Sequence, residues 1–385
     1  MKKILLYSEC HEPYLETFVT LLKLLNDRKI FIATEEKKHD WLLSTNPKLY
    51  TDVNFINLKD GFPMKKNPVK ATKSVLNNYK IIKKFIEKEK VTEFVMLELY
   101  NEKLKLLMSL NFPFKNMRSI LTVHNIHNYF EIDERLLRKY NLHKVRKYQK
   151  KFVQNFDKIV VLNDRMKDFL EANYSIKAYI MPFRLTKLSY IEKRDNFLND
   201  KTSTSKVKFV VPGNVESKRK DYYSIIDSFS KYNKNKYELV FLGKVIEEKI
   251  IEYAKTKKIN IKSFKSFIPE NQFNDEIISS HFVIGFSSDL SPYGILKASG
   301  IEFDGPALGV PTIVNNENLI SEKGVFLFSK NLQATLDQVF CDFENNEYLE
   351  KYGKPAFEKM KNNTADKYLE NIKSLLEADK WKPPS

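Results

Sequence analysis

Short apolar segments alternate with amphipathic ones from the start of this chain, and this alternation constrains the fold more than any other feature. The amphipathic segments place apolar residues at helical spacing, as Leu15, Phe18, Val19 and Leu22 do. Strands that alternate with helices predict a parallel sheet with helices on both of its faces. The first six predicted strands are 4–7, 30–33, 53–58, 94–97, 119–123 and 159–162.

A polar stretch at 192–205, with few apolar side chains, interrupts this pattern and predicts a linker. The alternation then restarts, with helices predicted at 222–232 and 246–257. Because a chain of 385 residues favours two domains over one, we predict an α/β protein with two doubly wound, Rossmann-like domains facing across a cleft. Their predicted bounds are 1–190 and 206–360, and a C-terminal helix within 361–385 is expected to return to the first domain. The second set of predicted strands is 208–211, 239–242, 259–263, 282–286, 312–314 and 325–328.

The composition argues against several classes of protein. Cys10 and Cys341 are the only cysteines and form no Cys-x-x-Cys pattern, which disfavours a disulfide framework or a zinc site. The apolar run after Met1 is too short for a signal peptide, and no run approaches the roughly 18 apolar residues of a membrane span. A cytoplasmic location is therefore expected.

The formal net charge of +16 comes mainly from lysines scattered along the chain. Three interpretations stay open: solvated helix faces, an anionic membrane surface or acidic ligand, and nucleic acid. No known nucleic-acid-binding module is visible, so we expect no nucleic-acid partner. The segment 61–73 combines Phe62 and Met64 with lysines, and it is either an ordinary surface loop or one that approaches anionic lipid. Its lysines are Lys65, Lys66, Lys70 and Lys73.

Glycine is rare in this chain, yet four of its ten glycines, Gly294, Gly300, Gly305 and Gly309, lie within sixteen residues. A sequence short of glycine uses it where the backbone turns sharply or a ligand comes close. Apolar strand segments flank this cluster, so the loop is expected at the carboxyl ends of strands, where open α/β sheets bind ligands. An anionic ligand suits such a place.

Three segments resemble the nucleotide-sugar domain of GT-B glycosyltransferases, most closely the retaining family 4 group. They are Val-Pro-Gly-Asn-Val-Glu-Ser-Lys-Arg-Lys-Asp-Tyr at 211–222, Ser-Pro-Tyr-Gly at 291–294 and Asp-Gly-Pro-Ala-Leu-Gly-Val-Pro at 304–311. Glu-Thr-Phe at 16–18 and Leu-Thr-Val-His-Asn at 121–125 are weaker matches. In the acid motif of that family two glutamates are separated by seven residues. Here Asp304 occupies the second position and Leu296 stands where the first glutamate is expected.

The resemblance implies a donor site around the 213 turn and the glycine cluster. Arg219 and Lys220 would hold the diphosphate, although they also suit an ordinary helix start. Asp304 would bind the ribose hydroxyls, although a helix cap is the alternative. Glu302 is assigned a catalytic role, with a solvated residue as the alternative. The other predicted donor-binding residues are Gly213, Asn214, Lys297, Ser299 and Gly300.

The resemblance also implies that His124 contacts the transferred sugar or its phosphate, and we predict it as the second catalytic residue. His124 and His127 alone do not make a metal site, and a structural histidine is the alternative reading of each. Glu9 and His11 are expected to contact the acceptor. We expect no metal and no cofactor, the nucleotide sugar being the donor substrate.

The sequence thus predicts a cytoplasmic, metal-free glycosyltransferase of the hexosyltransferase class, retaining in mechanism and peripheral on the inner face of the cell membrane. Its acceptor would be a glycan or a lipid-linked molecule in the synthesis of cell-surface polysaccharide or glycoconjugate. Two alternatives stay open: a nucleotide-sugar epimerase, and an accessory subunit of the same fold that has lost catalysis, which Leu296 makes credible.

Overall fold

The computed structural model describes residues 1–9, 12–58, 68–99, 102–111, 117–130, 143–200, 206–288, 297–317 and 325–377, with side chains at 68–72, 102–103 and 143–147 left aside. Contacts divide the chain into two compact units. The first comprises Met1–Arg184, Ile295–Ala298 and Ala365–Ser385, and the second comprises Leu185–Gly294 and Ser299–Thr364.

The first unit is built on a parallel sheet in the order β3-β2-β1-β4-β5-β6-β7. Its strands are β1 Lys2–Tyr7, β2 Arg28–Glu35, β3 Asn54–Leu58, β4 Glu93–Met96, β5 Arg118–Val123, β6 Lys158–Val161 and β7 Ala178–Ile180. The chain starts in the middle, extends to one side and returns to β4 on the other side of β1, so the direction switches between β1 and β4. Leu5 of β1 pairs with Phe31 on one side and Phe94 on the other.

Amphipathic helices accompany this sheet, and one short 3₁₀ turn, Ile126–Asn128, follows β5. In α1 the residues that the spacing predicted to be inward, including Leu15 and Phe18, are buried. The helices of this part are α1 Glu12–Leu25, α2 Glu36–Thr45, α3 Pro47–Tyr50, α4 Pro68–Glu89, α5 Glu102–Leu110, α6 His143–Gln154 and α7 Asp164–Tyr174.

The second unit has a parallel sheet in the order β10-β9-β8-β11-β12-β13. Side chains alternate between its faces: Phe209 and Val211 of β8 belong to one core cluster, and Val210 belongs to the other. The strands are β8 Val207–Pro212, β9 Tyr237–Lys244, β10 Ile261–Phe264, β11 Phe282–Gly285, β12 Thr312–Val314 and β13 Phe326–Phe328. The helices are α8 Leu188–Asn199, α9 Tyr222–Phe229, α10 Glu248–Thr256, α11 Glu270–Ile278, α12 Ile301–Ala307, α13 Leu332–Glu344 and α14 Lys354–Lys361.

These two parallel sheets confirm the predicted fold class of two doubly wound α/β domains. Each of the twelve predicted strands overlaps an observed strand, with ends that differ by a few residues. Strand β7 was not predicted; it has three residues and is only partly buried, with one of its side chains in the core and two at intermediate exposure. Residues 192–199, predicted as part of a linker, instead belong to helix α8.

Arg194 explains why this polar segment is ordered. Its side chain is fully buried in the second unit. The guanidinium donates from Nε to the Gly309 carbonyl oxygen at 2.9 Å, and from Nη1 to those of Ile278 and Ser280, both at 2.7 Å. Nη2 donates to the Tyr348 hydroxyl at 3.0 Å. A buried charge is tolerated when its donors are satisfied in this way.

The last described helix, α15 Leu369–Glu377, belongs to the first unit, where it packs on α1. The buried ammonium of Lys158, at the start of β6, donates to the Leu375 carbonyl oxygen at 2.7 Å and to that of Ser374 at 3.4 Å. A cation at the last carbonyls of a helix is favourable because the helix dipole is negative there. Within the described ranges, no helix combines the length and the apolar character that crossing a bilayer requires.

Candidate functional site

The carboxyl edge of the second sheet opens at the switch between β8 and β11. From β8 the chain proceeds to β9 and β10 on one side and returns to β11 on the other. Connections leave in opposite directions at such a point, and ligands of open α/β sheets bind in the resulting crevice. The segments that follow β8 and β11 therefore define the candidate site.

Gly213 makes the turn directly after β8 in a conformation that favours glycine, with φ at +101°. Its N–H donates to the Leu242 carbonyl oxygen at 2.9 Å, so the turn lies over the end of β9. A Cβ on Gly243 would come 2.2 Å from the Gly213 carbonyl oxygen. The positive φ favours glycine at 213, and the close approach of the two backbone segments requires glycine at 243. Gly213 therefore presents its backbone to the site with no side chain.

The residues after this turn are held along the extension of β11. Lys220 forms an antiparallel bridge with Ser287. The Asp221 N–H donates to the Phe286 carbonyl oxygen at 3.1 Å, and the Ser288 N–H donates to that of Arg219 at 3.2 Å. The side chain of Lys220 extends back toward the turn. Its Nζ would lie 3.1 Å from a Cβ placed on Gly213.

Lys220 and Arg219 occupy different environments. Burial lowers the pKa of Lys220 to about 8, with the charge of Asp304 opposing the shift and that of Arg219 adding to it. The Arg219 side chain is 57% exposed, and its Nε lies 3.3 Å from Glu216 Oε1. Of the two predicted phosphate-binding cations, Lys220 is thus the one turned inward, where its charge interacts with Asp304.

The start of α12 brings the other predicted donor residues of the second unit together. One oxygen of the buried Glu302 carboxylate accepts from the Ser299 N–H at 3.0 Å, as the glutamate of a capping box does. The Asp304 N–H donates to the Gly300 carbonyl oxygen at 2.9 Å. The Glu302 bond gives this residue a structural role at the helix start, and its catalytic role stays a prediction.

Gly300 differs from Gly213 in that nothing in its backbone requires glycine. Its φ of −52° is ordinary helical geometry, and a Cβ there would meet Asp304 Oδ2 at a comfortable 3.5 Å. Asn214, beside the turn, is exposed, and its carbonyl oxygen accepts from the Tyr222 hydroxyl at 3.0 Å. Lys297 belongs to the first unit, where it forms a bridge with Asn125, and its donor-binding role stays a prediction.

In the first unit, His124 follows β5 and is buried. Its ring meets the Tyr14 ring edge to face, with centroids 4.8 Å apart, and lies 6.0 Å from that of Phe183. Glu9 follows β1 and accepts from the Tyr7 hydroxyl at 3.1 Å. The predicted acceptor residue His11 lies outside the described residues, and the roles of His124 and Glu9 stay predictions.

Glu98 is a buried carboxylate that the sequence analysis missed. It is 2% exposed and follows β4, beside β1 at the switch point of the first sheet. Burial is the largest cause that raises the pKa of both Tyr7 and Tyr14, and the charge of Glu98 adds to it. The available sequence signal was a glutamate directly after the apolar run 94–97, which by itself does not indicate that β1 lies beside it. Strongly perturbed titratable groups are frequent at functional sites.

Within the described ranges, no three His, Cys, Asp or Glu side chains come together as a metal site would require. The expectation of a metal-free protein remains a prediction.

No protein-family model matches the chain, and no curated protein matches it in sequence. Solved structures with a similar fold include sucrose-phosphate synthase from Thermosynechococcus elongatus, with a TM-score of 0.68 and 12% identity over 98% of this chain and 100% of that one. A glycosyltransferase from Rickettsia africae ESF-5 has a TM-score of 0.64 and 18% identity over 98% and 99%. A UDP-GlcNAc 2-epimerase from Neisseria meningitidis, solved bound to UDP-GlcNAc, has a TM-score of 0.60 and 13% identity over 97% and 100%.

These likenesses extend over nearly the whole chain and show that it has the GT-B fold. At such low identity they show the fold alone, and function has to be argued from the site.

Proposed function

We propose that the protein is a glycosyltransferase of the hexosyltransferase class, which moves a sugar from a nucleotide-sugar donor to a glycan or lipid-linked acceptor. One observation carries this proposal: the inward Lys220 ammonium, close to Gly213 and interacting with Asp304, lies at the switch point of the second sheet. The Lys220 ammonium beside the exposed backbone of Gly213 can bind a diphosphate, and the Asp304 carboxylate can accept hydrogen bonds from the two ribose hydroxyls.

In the proposed reaction the bond between the sugar C1 and the diphosphate oxygen breaks, and its electron pair leaves with the nucleoside diphosphate. A new bond forms between C1 and an acceptor oxygen, whose proton passes to the departing diphosphate. Lys220 stabilises the charge that develops on the leaving diphosphate, which is the largest electrostatic demand of the reaction. Retention of configuration is proposed from the family 4 resemblance.

At the carboxyl edge of the first sheet, His124 keeps its proposed catalytic role, and Glu9 and Glu98 are proposed to contact the acceptor. Carboxylates accept hydrogen bonds from sugar hydroxyls, which suits a glycan acceptor. A lipid-linked acceptor would bring the protein to the inner face of the cell membrane, and the high net positive charge supports that location.

A second candidate is a nucleotide-sugar epimerase. The fold likeness to a UDP-GlcNAc 2-epimerase favours it, because such an enzyme needs the same donor site. The accessory-subunit alternative rests on Leu296, which replaces an expected glutamate.

A panel of nucleotide sugars incubated with the purified protein separates these functions. A transferase should release nucleoside diphosphate, and should release more of it when an extract that contains glycan and lipid-linked acceptors is added. Conversion of the sugar to its epimer would favour the second candidate. Binding of a nucleotide sugar without turnover in the presence of the extract would favour the accessory subunit, and absence of any binding would contradict all three.

A further inference from the structure

Three leucines are exposed on two neighbouring helices of the first unit. Leu76 of α4 is 39% exposed, and Leu106 and Leu110 of α5 are 38% and 58% exposed. The two helices pack together, and the Tyr79 hydroxyl of α4 donates to the Asn111 carbonyl oxygen beyond the end of α5, at 2.5 Å. Leu76 lies one helical turn before Tyr79, and Leu110 directly precedes Asn111, so both are close along the chain to this contact between the helices.

The solvent face of α4 beside these leucines is basic. Lys73, Lys80 and Lys84 are exposed, and intervals of seven and four residues place them on the helix face that carries Leu76. Single exposed leucines are ordinary on a protein surface. Three of them bordered by a row of lysines make an amphipathic surface.

Helix α4 has few acidic residues beside these lysines. Between residues 73 and 88 the helix has five lysines and one glutamate, Glu87. Its carboxylate lies 3.9 Å from Lys83 Nζ. Glu89 lies at the far end of α4 and pairs with Lys3 at 3.1 Å. The middle of the helix therefore keeps a clear excess of positive charge.

We propose that Lys73, Leu76, Lys80, Lys84, Leu106 and Leu110 form a docking face for an anionic lipid surface. Lysine ammonium groups reach the lipid phosphates while leucines enter the boundary between head groups and acyl chains. The expected occupant is anionic lipid, because each lysine near a negatively charged lipid surface adds to the binding energy. The inference deepens the membrane part of the proposed function and does not depend on the donor site.

The segment 61–73, for which an ordinary surface loop and an approach to anionic lipid were both left open, overlaps this face only in part. Residues 61–67 lie outside the described residues, and Lys73 is the member of its lysine cluster whose side chain is described. In this proposal the contact with lipid is therefore made by α4 and α5.

Vesicles of phosphatidylcholine with phosphatidylserine, and vesicles of phosphatidylcholine alone, test the docking face by co-sedimentation with the full chain. Wild-type protein should bind the anionic vesicles and be released by high salt. The variant Lys73→Glu/Lys80→Glu/Lys84→Glu should lose about a hundredfold in vesicle partitioning, and Leu106→Ser/Leu110→Ser about tenfold. Both changes are on the surface, and thermal denaturation checks that the fold is kept.

The matched control is Lys206→Glu/Lys234→Glu/Lys255→Glu, an equal charge change at exposed positions of the second unit. It should lose much less vesicle binding than the α4 variant. An equal loss in both variants would mean that binding follows net charge alone and would overturn the docking face, as would wild-type protein that does not distinguish the two vesicle types.

A second copy of the chain is the competing occupant. A dimer in solution that Leu106→Ser/Leu110→Ser dissociates, with vesicle binding unchanged, would assign the face to self-association and overturn the proposal. Nucleoside diphosphate affinity should be the same in wild type and all three variants. Vesicle binding and donor binding can therefore fail independently, which separates this inference from the transferase proposal.

Discussion

Lys220 is the residue whose environment most favours a ligand role. Its ammonium is turned toward the Gly213 turn, and desolvation there is only partly offset by Asp304. An anionic diphosphate would favour the charged form of Lys220, so binding should raise its pKa above the value of about 8 that burial sets in the free protein.

Donor binding should therefore depend on pH in a specific direction. Between about pH 7 and pH 8 Lys220 is mostly protonated and the terminal phosphate of the ligand is ionised, so affinity should be nearly constant. Above about pH 8, affinity should fall by up to about tenfold per pH unit, because binding must then take up a proton. Calorimetry with a nucleoside diphosphate across this range checks the slope. Lys220→Arg should remove the pH dependence because arginine stays charged, and identical pH profiles for the two proteins would contradict the assignment.

The two acids of α12 can be told apart by a matched pair of amide variants. Asp304→Asn should weaken donor binding by about 1–2 kcal/mol, since a neutral amide is a poorer acceptor for ribose hydroxyls. It should also move the pH midpoint of binding downward, because the Asp304 charge supports protonation of Lys220. Glu302→Gln keeps an oxygen for the Ser299 N–H and should bind donor nearly normally. If only Glu302→Gln weakens binding, the ribose acid is Glu302.

Among the structural elements, the turn after β8 has two requirements: a backbone conformation with positive φ, and room for the Lys220 side chain beside the backbone. Gly213 meets both, because its φ is positive and Lys220 Nζ lies close to where a Cβ would project. Gly300, at the start of α12, has ordinary helical geometry and room for a methyl group. The two glycines therefore predict different outcomes for the same substitution.

Gly213→Ala should destabilise the fold by about 1–3 kcal/mol and displace Lys220, so nucleoside diphosphate affinity should fall with it. Gly300→Ala should change stability by less than about 1 kcal/mol. Chemical denaturation and calorimetry on both variants make the comparison. A Gly213→Ala variant with unchanged stability and affinity would refute the role of the turn. A Gly300→Ala variant that is stable but binds donor poorly would show that the ligand approaches the backbone at residue 300.

At the scale of the whole molecule, the apolar runs predicted the two sheets because each strand of a buried parallel sheet carries its own signal. Helix α8 was not predictable in this way. Its order depends on Arg194 meeting the carbonyl groups of Ile278, Ser280 and Gly309, which lie 84 or more residues away in sequence. A local pattern contains no information about such partners.

The candidate site shows the same limit. Motifs located Gly213 and Asp304, but they assigned Arg219 and Lys220 the same role. The bridge between Lys220 and Ser287 decides which of the two cations turns inward, and that pairing depends on the order of β8 and β11. Glu98 was missed because its significance comes from the neighbouring strand β1.

Binding of a nucleoside diphosphate by the second unit through Lys220 is the step on which the proposed function depends. Calorimetric titration of UDP, GDP, ADP and dTDP into wild type, Lys220→Met and Arg219→Ala tests it directly. Wild type should bind at least one of them, and Lys220→Met should weaken that binding by about ten- to hundredfold. Arg219→Ala should weaken it less, because Arg219 is exposed. Wild-type protein that binds none of the four, or Lys220→Met that binds as tightly as wild type, would contradict it.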